Sequence, residues 1–184
     1  DHGFTSFRRQ VNLNNLLHEL GYLVFKDGAK SVDELSRKDF LAFVDWEKTQ
    51  AYSMGLGKVF INKVGRESQG TVDNTNYDEV VGNIIRDLEA VTDVDGTKVV
   101  TSAQRRDELF DGPWVRENYE GSLTQKVKGE RRTVDQWDGF ADIFLGYAPY
   151  YRVSWANTMG GLDSASIVDN TNHWSGGHVS VDPL

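Results

Sequence analysis

Asp1 and His2 stand side by side at the start of "DHGFTSF", and His173 and His178 bracket "HWSGGH" near the other end. His18, the remaining one of the chain's four histidines, lies beside Glu19 in the leucine-rich "LNNLLHEL". Imidazole and carboxylate are the donors of a zinc site built without thiolates, and a catalytic ion takes three protein ligands of this kind. The chain has no cysteine, so any metal falls to His, Asp and Glu. Adjacent residues such as Asp1 and His2 meet one ion only where a strand ends and the chain turns, and Gly3 permits that turn. His178 follows Gly176 and Gly177, backbone that can come close to a ligand. On composition alone the plainer reading, a chain end and a polar-loop histidine, is the stronger one.

Two further patterns reduce to ordinary structure. Asp169 and His173 have the D-x-x-x-H spacing that shares one face of a helix, but "DNTNH" is a poor helix former and predicts a loop. "TDVDG" has the start of a calcium loop and lacks the glutamate that such a loop needs after its glycine, so a plain turn is expected. His18 is expected at the surface or boundary of a helix.

The elements that must position these residues come from periodicity. Leu13, Leu16, Leu17 and Leu20 fall at i, i+3, i+4 and i+7, the apolar face of a helix, and Gly21 supplies its left-handed cap. Tyr22 to Phe25 then reads as a short buried strand, and Val59–Ile61 as another between the glycine turns at Gly55, Gly57 and Gly65. Tyr77, Val80, Val81, Ile84, Ile85, Leu88 and Val91 predict a helix over 77–91, with Asp78 and Glu79 in its first turn. A strand follows at about 98–101. Residues 111–138 read as a surface excursion that contains the solvated basic run "KVKGERR". "ADIFLGY" at 141–147 is apolar on both faces, as in a covered central strand, and from 148 onwards Gly, Asn, Ser and Trp predict loops. Helices alternating with short buried strands give an α/β sandwich.

The formal charge of −8 argues against a nucleic-acid partner, since phosphate backbones attract net base. No run of about 18 apolar residues occurs, so no membrane partner is expected. With 39% hydrophobic and 26% charged residues the chain reads as one ordinary globular domain.

Four collinear blocks carry a resemblance. "DHGFTSFRRQVNLNNLLHELGYLVF" resembles a segment of the alkaline phosphatase superfamily, in the type I phosphodiesterase/nucleotide pyrophosphatase branch, where an Asp-His-Gly-Phe turn leads into a helix and strand. "VDWEKTQAYSMGLGKVFINKVGRESQGTV", "DIFLGYAPYYRVSW" and "DNTNHWSGGHVSVDP" are similar to later blocks of that branch, in the same order. The resemblance implies that residues 1–184 form a single, partial alkaline-phosphatase-like domain. It would be the C-terminal part of an α/β/α sandwich with a mixed, mostly parallel sheet.

In that superfamily two zinc ions activate a Thr or Ser nucleophile that forms a phospho-enzyme. Carried over by position, Asp1 and His2 would be ligands of the ion beside the nucleophile, and His178 a ligand of the second ion. Arg8, Arg66 and Arg152 lie in matched blocks and could each steer a phosphate, although a structural or surface role is the stronger expectation. The nucleophile, one carboxylate ligand and an Asp-x-x-x-His pair precede the Asp-His motif in the family and find no match here. Gly177 also stands where the closing motif tends to carry an acid, a change that would weaken a metal site through a lost outer hydrogen bond.

The resemblance therefore implies the C-terminal portion of a zinc-dependent phosphohydrolase acting on a phosphate ester or nucleotide-type small molecule. The 184 residues alone are expected to be inactive. They are expected to self-associate or to meet a partner chain that carries the N-terminal half. A reading from another class is a non-catalytic binding or interaction module whose Trp/Gly/Asn-rich loops, with Trp155 and Trp174, form the binding surface.

Overall fold

β1 begins at Thr5 and runs to Val11, and three other strands pair with it. The computed structural model describes residues 4–26, 40–110, 112–119, 122–127 and 130–177. After β1 come α1 (Leu13–Glu19), β2 (Ala51–Ser53), β3 (Lys58–Ile61), α2 (Tyr77–Glu89) and β4 (Val100–Arg105). Then follow α3 (Arg106–Leu109), α4 (Pro113–Tyr119), β5 (Ser122–Val127) and β6 (Glu130–Asp135). The last elements are β7 (Ile143–Tyr147), β8 (Tyr150–Val153), α5 (Trp155–Thr158), β9 (Ile167–Asp169) and β10 (Gly176–Gly177). No described helix is long and apolar enough to cross a membrane.

Asn12 ends β1 and starts α1. Its side chain accepts from the backbone N–H groups of Asn14 and Asn15, both at 3.1 Å, which satisfies two donors that the first helical turn leaves open. Leu13, Leu16 and Leu17 are buried as the spacing predicts. The helix closes on Gly21 (φ 85°), whose N–H reaches the His18 carbonyl at 3.0 Å while the Tyr22 N–H reaches Leu17 at 2.8 Å. That pair of bonds is the Schellman closure, and it needs the left-handed residue that glycine supplies.

The expected strand at Tyr22–Phe25 does not form; only an isolated bridge joins Phe25 to Val44. Its backbone groups are taken elsewhere. The Tyr22 carbonyl accepts from Gln50 and Ala51, and the Val24 N–H donates to the Thr49 hydroxyl at 3.0 Å, so no ladder can run along it. Leu20, expected on the apolar face of α1, is instead exposed at its C-terminal cap, and the strand expected at about 98–101 is β4 at Val100–Arg105. β3 covers Val59–Ile61, α2 starts at Tyr77 and buries Val81, Ile84 and Leu88, and β7 is the buried inner strand expected of "ADIFLGY".

The fold is α/β with mixed sheets. One sheet centres on β1, which pairs with β8 in parallel and with β9 and β10 in antiparallel fashion. The second runs β2-β3-β7-β4 and is antiparallel throughout. The expectation of a mostly parallel sheet is corrected: β1–β8 is the one parallel strand pair among the described strands. A parallel pair needs a crossover of roughly a dozen residues or more, and β2 turns straight back into β3 through Gly55 (φ 72°) and Gly57 (φ 67°). Within 111–138 the described residues form α4 and the β5–β6 hairpin. The tail from 148 onwards is also more regular than a loop surface, because β8, β9 and β10 are all held as strands by pairing with β1.

Candidate functional site

Asp1, His2 and His178 lie outside the described residues. The residues beside them in sequence are described, and they meet. Thr5 pairs with Gly177 and Ser6 with Gly176, in antiparallel register, and the Phe7 N–H donates to the Ser175 carbonyl at 2.8 Å. Among the described residues no group of three or more His, Asp or Glu side chains could hold a metal.

The remaining sequence candidates have structural roles. His18 is exposed, engages the Leu23 carbonyl through Nδ1 at 2.9 Å and stacks on Phe25 at 3.7 Å. Asp169 lies in β9 and accepts from Arg9 at 2.8 Å, whereas His173 sits beyond it in a non-helical loop, edge-on to Trp174. The two do not form a ligand pair. "TDVDG" is a turn closed by the Asp93 N–H to Thr97 carbonyl bond at 2.9 Å and by Gly96 at φ 83°.

Asp93 does more than turn the chain. Its carboxylate takes Nε and Nη2 of Arg9, each at 2.7 Å, and the Tyr151 hydroxyl at 2.9 Å. The Arg9 hydrogen bonds dominate and hold the Asp93 carboxyl down at about 2. This links β1 to the turn before β4 and to β8.

The three arginines of the matched blocks have different fates. Arg8 is exposed, with its guanidinium over the Tyr150 ring at 5.5 Å. Arg66 is a structural clamp: Nη1 and Nη2 grip the Asp142 carboxylate at 3.1 and 2.7 Å, Nε reaches Glu67, and Nη2 also donates to the Ile61 carbonyl. Arg152 is 7% exposed, and its guanidinium sits 4.7 Å from the Phe7 ring centroid and 4.6 Å from that of Trp155. A Cβ built on Gly177 would lie 3.6 Å from Arg152 Cδ and from Phe7 Cδ1, ordinary contact distance, so Arg152 underlies the β1–β10 junction.

Sequence reasoning missed a buried amide network. Asn14 exchanges two bonds with the Ser53 backbone, at 2.8 and 3.0 Å, and Asn157 reaches the Ser53 hydroxyl at 3.0 Å and the Asn14 N–H at 3.1 Å. Asn12 Nδ2 donates to Asp163 at 3.0 Å and to the Gly161 carbonyl at 3.1 Å. The available signal was the run of asparagines in "NLNNLL", at positions that the leucine spacing carries into the core.

A cleft of about 440 Å³ lies on the outer side of this network, with Gln10, Trp155, Asp163, Asp169 and Asn172 in its wall. Comparison of the chain with family models, with curated proteins and with solved structures finds no match.

Proposed function

We propose that this chain supplies part of the metal centre of a zinc-dependent phosphohydrolase, with Asp1, His2 and His178 as its ligands. The observation that carries the reading is the pairing of Thr5 with Gly177, which joins the segment after His2 to the segment before His178. One carboxylate and two imidazoles are a donor set that zinc accepts. Zinc, when bound, polarises phosphoryl oxygens and stabilises the entering and leaving oxygens of an in-line displacement. The nucleophile and the other ligands, which no residue of this chain matches, would come from outside these 184 residues, so the chain alone is expected to bind metal without turning over an ester.

Zinc titration by calorimetry tests the reading. Binding by the chain, lost in His178→Ala and in His2→Ala, is expected. Absence of binding, or binding that both variants retain, refutes it. Zinc-stimulated hydrolysis of p-nitrophenyl phosphate by the chain alone would show that the nucleophile is misassigned.

A second reading has an observation of its own. Trp174 is 74% exposed and Trp155 50% exposed, which suits a non-catalytic binding module whose surface is built on these rings. That reading expects no zinc binding.

A further inference from the structure

The half-buried arginines of the described fold each have a carboxylate partner. Arg9 holds Asp93 and Asp169, Arg66 holds Asp142 and Glu67, Arg105 holds Asp78 and Asp107, and Arg106 lies 3.7 Å from Asp142. This is the usual solution, because a guanidinium taken out of water without a counter-charge is strongly disfavoured. Arg152 is buried as well, at 7% exposure, and has no carboxylate partner among the described residues. The one side-chain hydrogen bond of Arg152 among the described residues runs from Nε to the Val153 carbonyl at 3.2 Å. Burial lowers its pKa from the ordinary value, and no neighbouring acid opposes that effect.

The geometry around it is specific. Phe7 and Trp155 each set an aromatic ring against the guanidinium, which holds the group in one orientation by cation–π contact. Nη1 and Nη2 then have no acceptor among the described residues. Two parallel N–H donors on a fixed plane match two oxygens of a phosphate, and such bidentate, charge-assisted pairs are stronger than neutral hydrogen bonds. The position also adjoins β10, the strand that leads to His178.

We propose that Arg152 is the anchor of an oxyanion-binding site, in which Nη1 and Nη2 take two oxygens of a phosphate-type group at the β1–β10 junction. Phe7 and Trp155 act as the positioning residues that hold the guanidinium. The assignment of that anion as the phosphoryl group of a substrate rests on the phosphohydrolase reading; the anion site itself does not.

Inorganic phosphate is the probe, added to the chain in EDTA and followed by calorimetry and by tryptophan fluorescence, since Trp155 stacks on the guanidinium. Saturable binding is expected, weakened at least tenfold in Arg152→Met, which keeps the aliphatic stem and removes the charge. Gly177→Asp is the second variant: it leaves Arg152 in place and tethers a carboxylate beside it, at a position with room for a side chain. It should weaken phosphate binding by a similar factor, with an unchanged far-ultraviolet circular dichroism spectrum. The proposal is overturned if phosphate acts no differently from acetate or chloride at equal ionic strength. It is equally overturned if folded Arg152→Met binds within twofold of the parent. Should Arg152→Met fail to fold, unchanged affinity in Gly177→Asp overturns it instead. Phosphate binding that depends on Arg152 without any zinc binding upholds the anion site and removes the hydrolase reading. Zinc binding without phosphate binding does the reverse.

Discussion

Asp142→Ala should be among the most damaging single substitutions in the chain. Asp142 is 1% exposed, and its oxygens are fully used. Oδ2 accepts from the Ile61 N–H and from Arg66 Nη2, both at 2.7 Å, while Oδ1 accepts from Arg66 Nη1 at 3.1 Å and from the Tyr77 hydroxyl at 2.7 Å. One carboxylate therefore ties β7 to β3, to the start of α2 and to the turn that holds Arg66. Burial, reinforced by the Asp142 charge, pushes the Tyr77 phenol well above its ordinary pKa, so it serves as a neutral donor at every physiological pH.

Truncation to alanine leaves the Arg66 charge buried with only the half-buried Glu67 as partner, and leaves the Ile61 N–H without its acceptor. Removal of one member of a buried ion pair costs about 3–5 kcal/mol. The lost acceptor falls within that figure, because groups in one network are not additive. With a urea m-value of about 2 kcal/mol/M, the unfolding midpoint should fall by roughly 1.5–2.5 M.

Urea unfolding followed by tryptophan fluorescence reads this directly. The double variant Asp142→Ala/Arg66→Met supplies the control, since exchange of a whole buried pair for apolar groups is often close to neutral. It should be more stable than Asp142→Ala alone. A midpoint shift under about 0.5 M, or a double variant as unstable as the sum of the two single ones, would refute the clamp.

Stability should fall in acid through Asp93. Its carboxyl titrates at about 2 in the fold against 3.8 ordinarily, so its contribution is complete above pH 3.8 and is lost as pH drops towards 2. Asp93→Asn should flatten the pH dependence of thermal unfolding across that window, and an unchanged profile would count against the Arg9–Asp93 bond as its source. Gly70→Ala should destabilise by about 1–3 kcal/mol or more, because a Cβ there would collide with the Lys63 carbonyl and the Val64 nitrogen, both backbone atoms. Gly82→Ala, on the exposed side of α2 with nothing within 4 Å of its Cβ, should instead stabilise by about 0.5–1 kcal/mol; equal melting shifts for the two variants would contradict the difference in packing.

What could be read from residues alone was local. α1, α2 and β7 followed from leucine spacing, an amphipathic stripe and an apolar run, each of which carries its own burial signal. The misreadings share a cause, which is pairing across long separations. Tyr22–Phe25 has strand-like residues, but its Tyr22 carbonyl accepts from Gln50 and Ala51 and its Val24 carbonyl from Asp45. Gly176 and Gly177 are of a type depleted in strands, yet they form β10 because β1 offers a template. Arg66 and Asp142 lie 76 positions apart, and no spacing rule joins them. For the candidate site, the proposed ligands were legible as residue types, whereas the lack of an acid beside Arg152 became visible only once Gly177 was seen to lie over it.

The buried bonds have a common direction that bears on function. The segments quoted above as four blocks are tied to one another by polar contacts, several of them buried. Asn14 links the first block to Ser53 in the second, Asn157, just past the third block, bonds both Ser53 and Ser154 of that block, and Asp142 joins the third back to Arg66 in the second. β1 adds the fourth through β9 and β10. Buried amide and carboxylate bonds gain little net free energy over well-packed apolar side chains, but they tolerate almost no displacement. A fold under selection for stability alone has little use for so many of them. The metal and oxyanion sites proposed above would need such supports, since a site of that kind fails when its supports are loose. The network and Arg152 are therefore parts of one arrangement: the amides fix where β1 lies, and β1 presents Phe7 to the guanidinium. Loosening the network, as in Asn14→Ala, should on this argument weaken phosphate binding even though Asn14 touches neither Phe7 nor Arg152.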